Sequence, residues 1–327
     1  MLFRSLHRSG WQYVVDNLKK LHSSDSMFCD LYLDRTFHWN YTEYKKLGVI
    51  PYKTNWIGFI HHTTDTEYTS YNTINLFKNK LFLSSLLYCK ALFVLSDNLK
   101  NEIEKIMYEK NINVKIFKLT HPTEFVDDKH MFTMKKFNMN ENKKIVQIGA
   151  WMRNIDAINK LKLGDNKLRL EKCALCGKKM ENYYFDEFSE SNSINIENNQ
   201  DNIVSNNTVS NNTVSNNAVS NNIESDFELV SSVLSRCISR DSQERNIQLE
   251  NSVKLLSFME NTEYDNLLSE NIVFVNLIGA SAVNTVIECI VRNTPIIINK
   301  LPALVEMLGE KYPLFYDNIN DVKKLLI

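Results

Sequence analysis

The chain has 327 residues, of which 43% are hydrophobic, and its formal net charge is -1. This length is sufficient for two domains of ordinary size, each with a buried core. A near-neutral charge balance gives no overall electrostatic attraction to duplex nucleic acid or an anionic membrane, although net charge does not exclude a local basic face. We therefore expect no nucleic-acid partner.

The cellular compartment is predicted from the lengths of the apolar segments, the N-terminal residues and the distribution of the cysteines. No apolar run approaches the roughly 20 residues that span a bilayer, and the basic start leads into polar residues rather than a signal-peptide core. The six cysteines are scattered. Cys173 and Cys176 have the spacing of half a zinc site, but no nearby ligands complete a set. We predict a cytoplasmic chain with no transmembrane segment, no metal site and reduced thiols.

The first 125 residues alternate between apolar strand patterns and helical patterns. An amphipathic helix is expected over residues 10–22, with later helices over 77–89 and from an N-cap at Asp97 to about 109. Strands are expected at 28–33, 56–60, 91–95 and 113–119. This alternation indicates crossover connections and a parallel sheet, and we assign residues 1–125 to a Rossmann-like N-terminal domain.

The pattern stops in a polar segment, 126–142, which we interpret as a linker, and then begins again. Strands are expected at 144–148, 168–180, 253–258, 271–277, 295–298 and 314–316. Helices are expected at 155–161, 262–269, 283–291, 301–308 and from 319 onward. Residues 143–327 are therefore predicted to form a second Rossmann-like domain, and the fold class is α/β.

An Asn- and Ser-rich segment interrupts the second domain at about 187–246. It contains a five-residue Val-Ser-Asn-Asn-Thr repeat between residues 204 and 222. Such a composition cannot bury enough apolar surface to offset the entropy of ordering the chain. We predict a disordered insertion.

The strongest candidate binding element is Gly-Ala-Ser-Ala-Val-Asn-Thr-Val-Ile-Glu, which begins at residue 279. Small residues after a buried strand allow a ligand to approach the backbone, and the following helix directs N–H groups and its positive end at that ligand. Asn284 and Thr285 can add hydrogen-bond donors for a diphosphate, and Glu288 can accept two sugar hydroxyls. An ordinary strand–turn–helix, with Glu288 as a solvated or capping charge, explains these residues equally well.

Two further candidates follow predicted strands. Gly149 permits close approach of a ligand, and Arg153 can neutralise a phosphate with a forked contact; a surface arginine after a turn is the alternative. His61 and His62 can bind a sugar or phosphate, or transfer a proton. Alternatively, one of the two histidines is a core residue and the other is exposed.

The order of these elements resembles that of the GT-B glycosyltransferases, especially glycosyltransferase family 4. The segment "YDNLLSENIVFVNLIGASAVNTVIECIVRNTPIIINKLPALVEMLG" resembles their nucleotide-binding half, and "KKIVQIGAWMRN" resembles its first strand and donor loop. "FIHHT", "LFVLSD" and "KLTHPTE" resemble strand ends of the N-terminal domain and the entry to the hinge. Similar segments occur in glycosyltransferase-like proteins of large DNA viruses, which would imply the host cytoplasm.

The resemblance implies two facing Rossmann-like domains that transfer a sugar from a nucleotide-sugar donor, of UDP or GDP type, to an unknown glycan, protein or lipid. It implies neither cofactor nor metal. Glu288 matches the glutamate that holds the donor ribose, and Asn284 with Thr285 matches the helix start that receives the diphosphate. Arg153 matches the donor-phosphate arginine. His61 or His62 matches the histidine near the transferred sugar.

Departures from the family pattern keep other functions open. The family has two glutamates separated by seven residues, and Ala280 stands at the first position. A catalytically degenerate relative that binds nucleotide or glycan without transfer is therefore the alternative. The family also has a strand before the "RSGW" segment, so a trimmed N-terminal domain is expected. An oxidoreductase is disfavoured because no Gly-x-Gly-x-x-Gly follows the first strand. An interaction protein working through the Asn-rich segment is a further possibility.

Overall fold

The computed structural model describes residues 10–23, 26–161, 168–173, 253–256 and 259–326. The predicted insertion at 187–246 and Cys176 lie outside these residues. The described strands form two sheets within one compact unit of the chain. Both sheets are entirely parallel, so the predicted α/β class with two Rossmann-like sheets is confirmed.

The first sheet has four strands in chain order, β1-β2-β3-β4. They are β1 (Phe28–Asp30), β2 (Trp56–Phe59), β3 (Cys89–Val94) and β4 (Lys115–Lys118). The α-helices of this half are α1 (Trp11–Lys19), α2 (Tyr41–Leu47), α3 (Thr73–Leu76), α4 (Lys80–Leu86) and α5 (Asp97–Glu109). A π-helical turn covers Arg35–Trp39 between β1 and α2.

Short polar side chains set the ends of several elements in this half. A helix is present within the expected range 77–89 but is shorter, because the Asn79 side chain accepts hydrogen bonds from the backbone of Leu81 and Phe82 and begins α4 at Lys80. The strand expected over 28–33 ends at Asp30, whose carboxylate accepts from the Tyr32 N–H at 2.8 Å. Ser96, rather than Asp97, is the N-cap of α5.

The second sheet has six strands in the order β10-β9-β8-β5-β6-β7. They are β5 (Lys144–Gln147), β6 (Arg169–Cys173), β7 (Lys254–Leu256), β8 (Ile272–Val275), β9 (Ile296–Asn299) and β10 (Phe315–Tyr316). Counted from β5, this is the 3-2-1-4-5-6 order of the Rossmann fold. The order reverses between β5 and β8.

Helices of the second half are α6 (Met134–Met139), α7 (Asn261–Glu270), α8 (Asn284–Arg292) and α9 (Pro302–Leu308). Turns of 3₁₀ helix cover Asp128–His130, Ala157–Lys160 and Ile319–Leu326. The α-helix expected at 155–161 is therefore only one 3₁₀ turn. The segment predicted as a linker contains α6 and the first of these turns.

The core of the second half lies on both faces of its sheet. One face buries Val146, Val273 and Ile296, and the other buries Ile145, Phe274 and Ile297. Adjacent strand residues point to opposite faces, so continuous apolar strands are what a sheet covered on both sides requires. Within the described residues, no helix is both long and apolar enough to cross a bilayer.

Candidate functional site

Two loops meet where the strand order of the second sheet reverses. The 149–154 loop follows β5 and the 276–283 loop follows β8. In open α/β sheets, this switch point at the carboxyl ends of the strands is where ligands bind. The topology therefore brings both of the loops singled out in the sequence to one crevice.

Backbone hydrogen bonds join the two loops directly. The Asn154 N–H donates to the Asn276 carbonyl at 2.9 Å, and the Ile278 N–H donates to the Met152 carbonyl at 2.8 Å. An isolated bridge pairs Arg153 with Leu277 between them. The position of Arg153 is thus set by the backbone on both sides.

Gly149 has a structural role that another residue cannot take without strain. Its φ is +79°, a conformation that side chains rarely adopt. A Cβ atom at this position would lie 2.6 Å from Arg153 Cζ. Gly149 therefore allows both the turn after β5 and the packing of the Arg153 guanidinium against that turn.

The Arg153 guanidinium reaches the start of α8. One nitrogen, Nη1, donates to the Trp151 carbonyl at 2.7 Å, and Nη2 donates to Thr285 Oγ1 at 3.0 Å. Within the described chain, the N-cap Val283 gives no side-chain cap and the first turn of α8 has no acidic residue. A fixed guanidinium beside a helix N-terminus concentrates positive potential, which suits a phosphate group.

Glu288 lies one turn further along α8, and its side chain is buried. Its carboxylate accepts a hydrogen bond from the Tyr264 hydroxyl of α7 at 2.8 Å. The interpretation of Glu288 as a solvated charge is therefore wrong. Asn284, at the helix start, is exposed, whereas Thr285 is buried.

The segment that follows β2 brings His62 to the 149–154 loop. His62 is 6% exposed and its ring lies 5.4 Å, centroid to centroid, from Trp151. The Tyr68 hydroxyl donates to the Ala150 carbonyl at 3.3 Å. Gly279 also lies beside Thr63, since a Cβ there would be 3.5 Å from the threonine hydroxyl. Residues from both sheets therefore line the crevice.

Hydrogen bonds determine which nitrogen of each histidine carries a proton. His62 Nδ1 lies 2.7 Å from the Tyr71 carbonyl, which can only accept, so Nδ1 is protonated. In the neutral ring, Nε2 then accepts from the Tyr32 hydroxyl at 3.1 Å. His61 Nε2 donates to the Leu31 carbonyl at 2.8 Å. His62, rather than His61, is the histidine in contact with the 149–154 loop.

The buried carboxylate of Asp34 forms hydrogen bonds with the backbone of both histidines. Asp34 has no exposed surface, and it accepts the backbone N–H of His61 at 2.7 Å and that of His62 at 3.3 Å. Burial raises the pKa of the Asp34 carboxyl, but His62, His61, His38 and the His61 N–H together lower this pKa below its ordinary value. Burial lowers the pKa of His61 and of His38, although Asp34 partly opposes both shifts.

Comparisons with known proteins give similarity to solved structures only. No protein-family model matches the chain, and no curated protein matches it. The N-terminal domain of Candida albicans trehalose-6-phosphate phosphatase is 12% identical with a TM-score of 0.48, over 95% of this chain and 65% of that one. This chain thus spans just under two thirds of that structure.

Two trehalose-phosphate synthases are similar to the same degree. The UDP-forming enzyme from Burkholderia xenovorans is 12% identical with a TM-score of 0.47, over 98% of this chain and 71% of that one. Another trehalose-6-phosphate synthase is 10% identical with a TM-score of 0.48, over 98% and 70%. At these identities and TM-scores, the similarity assigns no function to this chain.

Asp34, His38 and His62 are close enough together to be considered as metal ligands, since one ligand atom from each lies within 4.8 Å of the others. The hydrogen bonds of His62 argue against a metal, because both of its ring nitrogens already have partners. Asp34 accepts two backbone N–H groups but keeps further lone pairs, and His38 Nε2 has no hydrogen-bond partner among the described residues. The absence of a metal site therefore stays a prediction.

Sequence reasoning missed Asp34 and Tyr264. Asp34 precedes His61 by 27 positions, and Tyr264 precedes Glu288 by 24. Neither residue belongs to a local motif, so nothing in the sequence indicates its contact. Of the candidates it did identify, Arg153 lies against Gly149 and donates a hydrogen bond to Thr285 at the start of α8.

Proposed function

We propose that this chain is a GT-B glycosyltransferase that moves a sugar from a UDP- or GDP-type nucleotide-sugar to an acceptor. The observation that supports it best is the 3.0 Å contact between Arg153 Nη2 and Thr285 Oγ1 at the start of α8. This contact joins a fixed positive charge to a helix N-terminus at the switch point of a Rossmann sheet. A diphosphate is the ligand group that this arrangement suits best.

The proposed chemistry follows from the charge that develops on the leaving group. When the bond from the sugar to the diphosphate breaks, negative charge accumulates on the phosphate oxygens. Arg153 and the N-terminus of α8 stabilise that charge, which lowers the barrier without requiring a metal. Glu288, oriented by Tyr264, accepts hydrogen bonds from the ribose, and His62 lies on the side of the transferred sugar.

The finer relationships belong to the same proposal. The order of the strand-end segments supports a relationship to glycosyltransferase family 4. It also supports a relationship to the glycosyltransferase-like proteins of large DNA viruses. The acceptor would be a glycan, protein or lipid, and the compartment would be the cytoplasm of the cell or of the host.

A second function is favoured by one residue. Ala280 stands where the resemblance implies a glutamate near the transferred sugar, and alanine offers no group for the sugar hydroxyls. A chain with an intact diphosphate site and no such group would bind a nucleotide or nucleotide-sugar without transferring the sugar. This second candidate shares the nucleotide site with the first and differs from it only in turnover.

A series of thermal-shift measurements tests whether the protein binds a nucleotide or a nucleotide-sugar. UDP, GDP, ADP and their sugars are tested against the wild type, Glu288→Ala and Tyr264→Phe. One nucleotide should stabilise the wild type, by about 2.7 kcal/mol at a concentration 100-fold above its Kd. The shift should weaken in both variants. Glu104→Ala, an exposed glutamate on α5 that faces Lys100 at 3.6 Å, is the control and should respond like the wild type.

Turnover then separates the two candidate functions. Release of free nucleotide from the stabilising nucleotide-sugar is measured with and without acceptors, and with EDTA. EDTA-resistant release supports the metal-independent transferase, whereas binding without release supports the degenerate relative. If no nucleotide shifts the wild type, both candidates fail.

A further inference from the structure

The turn that leads into α8 contains a buried hydroxyl without a partner. Ser281 is 3% exposed, and across the part of the chain that the structure describes its Oγ has no hydrogen-bond partner. A buried hydroxyl in this state costs free energy, because it has lost its hydrogen bonds to water and gained none in return. Such groups in native proteins call for an explanation, and a bound ligand is one.

Ser281 lies in the turn whose two ends contact Arg153. Arg153 spans the turn from end to end: its backbone pairs with Leu277, and its guanidinium donates to Thr285. Ser281 lies midway between those two contacts in the chain. It also lies two residues before Val283, the N-cap of α8, whose side chain forms no capping hydrogen bond. The unpartnered hydroxyl and the Arg153 contact with the helix start are independent observations on the same turn.

We infer that Ser281 is a further ligand-contacting residue, whose hydroxyl donates a hydrogen bond to an oxygen of a diphosphate bound at the start of α8. This inference rests on the proposed function and adds a residue that neither the motif order nor the resemblance assigns. The contact satisfies the hydroxyl only when ligand is present. Ser281 therefore costs stability in the ligand-free protein and contributes affinity in the complex.

The two opposite effects of Ser281, on the stability of the ligand-free protein and on ligand affinity, are tested separately. Ser281→Ala is compared with Ser269→Ala, since Ser269 is 1% exposed but donates its hydroxyl hydrogen bond to the Asn266 carbonyl at 3.2 Å. In the ligand-free state, Ser281→Ala should leave the melting temperature unchanged or raise it, whereas Ser269→Ala should lower it. Calorimetric titration uses UDP, GDP and inorganic pyrophosphate. Ser281→Ala should weaken the Kd about tenfold, and Ser269→Ala should leave it unchanged.

The outcomes distinguish this inference from the proposed function. If a nucleoside diphosphate binds the wild type and Ser281→Ala equally, the inference fails and the proposed function stands. If Ser281→Ala lowers the ligand-free melting temperature as much as Ser269→Ala, the hydroxyl already has a partner, such as an ordered water, and the inference fails. Weakened binding of nucleoside diphosphates and also of pyrophosphate supports the diphosphate contact. If neither the nucleotides nor pyrophosphate bind the wild type, both proposals fail.

Discussion

Uncharged residues hold the Arg153 side chain in position. Gly149 leaves space for the guanidinium, and the Trp151 carbonyl and Thr285 hydroxyl accept its two hydrogen bonds. Tyr264 does the same for Glu288 by donating to its carboxylate. Long side chains held in one geometry before a ligand arrives lose less conformational entropy when it binds. At the residue scale, the site depends on this preorganisation.

Gly149→Ala should destabilise the protein by about 1 to 3 kcal/mol, because a side chain there adopts an unfavourable φ and displaces the Arg153 guanidinium. Urea denaturation measures the loss. Gly48→Ala is the matched control: its φ is +65°, but nothing lies within 4 Å of the added carbon. The control reports the φ cost alone, so equal losses in the two variants would contradict the clash with Arg153.

The buried histidines predict how stability depends on pH. The pKa values of His38 and His61 are lowered from 6.5 in the fold, so the unfolded chain takes up these protons first as the pH falls. The free energy of unfolding should therefore decrease below about pH 6.5. The pKa of Asp34 is lowered from 3.8, so its stabilising contribution persists until the pH falls below about 3.8.

The test compares urea midpoints at pH 7.5 and 5.5 for the wild type and His38→Gln. The variant should lose less stability on acidification, by about 1 kcal/mol for each pKa unit removed. His22→Gln, which changes an exposed histidine, should follow the wild type. Identical pH dependence in His38→Gln and the wild type would show that His38 is not one of the responsible groups.

At the scale of the elements, the N-terminus of α5 forms hydrogen bonds with a side chain of α9. The first two N–H groups of α5 belong to Asp97 and Asn98, and they donate to the Glu306 carboxylate of α9 at 2.7 and 2.5 Å. The next, from Leu99, donates to the Ser96 hydroxyl at 3.2 Å. A helix between two strands of the first sheet is thus capped partly by a residue of the half that carries the second sheet. A carboxylate at a helix N-terminus is also favoured by the helix dipole.

Glu306→Ala should lower the free energy of unfolding by about 0.5 to 1 kcal/mol, because α5 loses a charged partner for two N–H groups. Chemical denaturation at low and high salt measures it, and the difference should shrink as salt screens the dipole. Glu310→Ala removes an exposed carboxylate paired with Lys300 and is the control. A loss in Glu306→Ala no greater than in this control would argue against the cap.

At the scale of the whole molecule, every residue of the candidate site lies in the described part of the chain. The predicted insertion contributes none of them. Deleting residues 190–245 should therefore leave the nucleotide-induced thermal shift unchanged within error. A lost shift in a deletion variant that still unfolds cooperatively would assign the Asn-rich segment a part in binding.

Much of the fold was predictable because its signals are local. Apolar runs such as 272–275 predict a buried strand, and the small residues after them predict a turn near a ligand, without knowledge of the partners. The helix expected from residue 77 begins only at Lys80, because the cap at Asn79 interrupts an apolar pattern that starts before it. The domain boundaries at 125 and 143, like the site roles, stay predictions.

The sequence by itself determined the α/β class, the order of strands and helices along the chain, and which strand ends carry reactive side chains. Hydrophobic periodicity and turn residues encode these over a few positions. Only the tertiary structure decided that the strand order reverses between β5 and β8, that Asp34 holds His61 and His62, and that Tyr264 orients Glu288. Such contacts join positions more than 20 residues apart. They arise from how the elements pack, and packing leaves no local pattern in a single sequence.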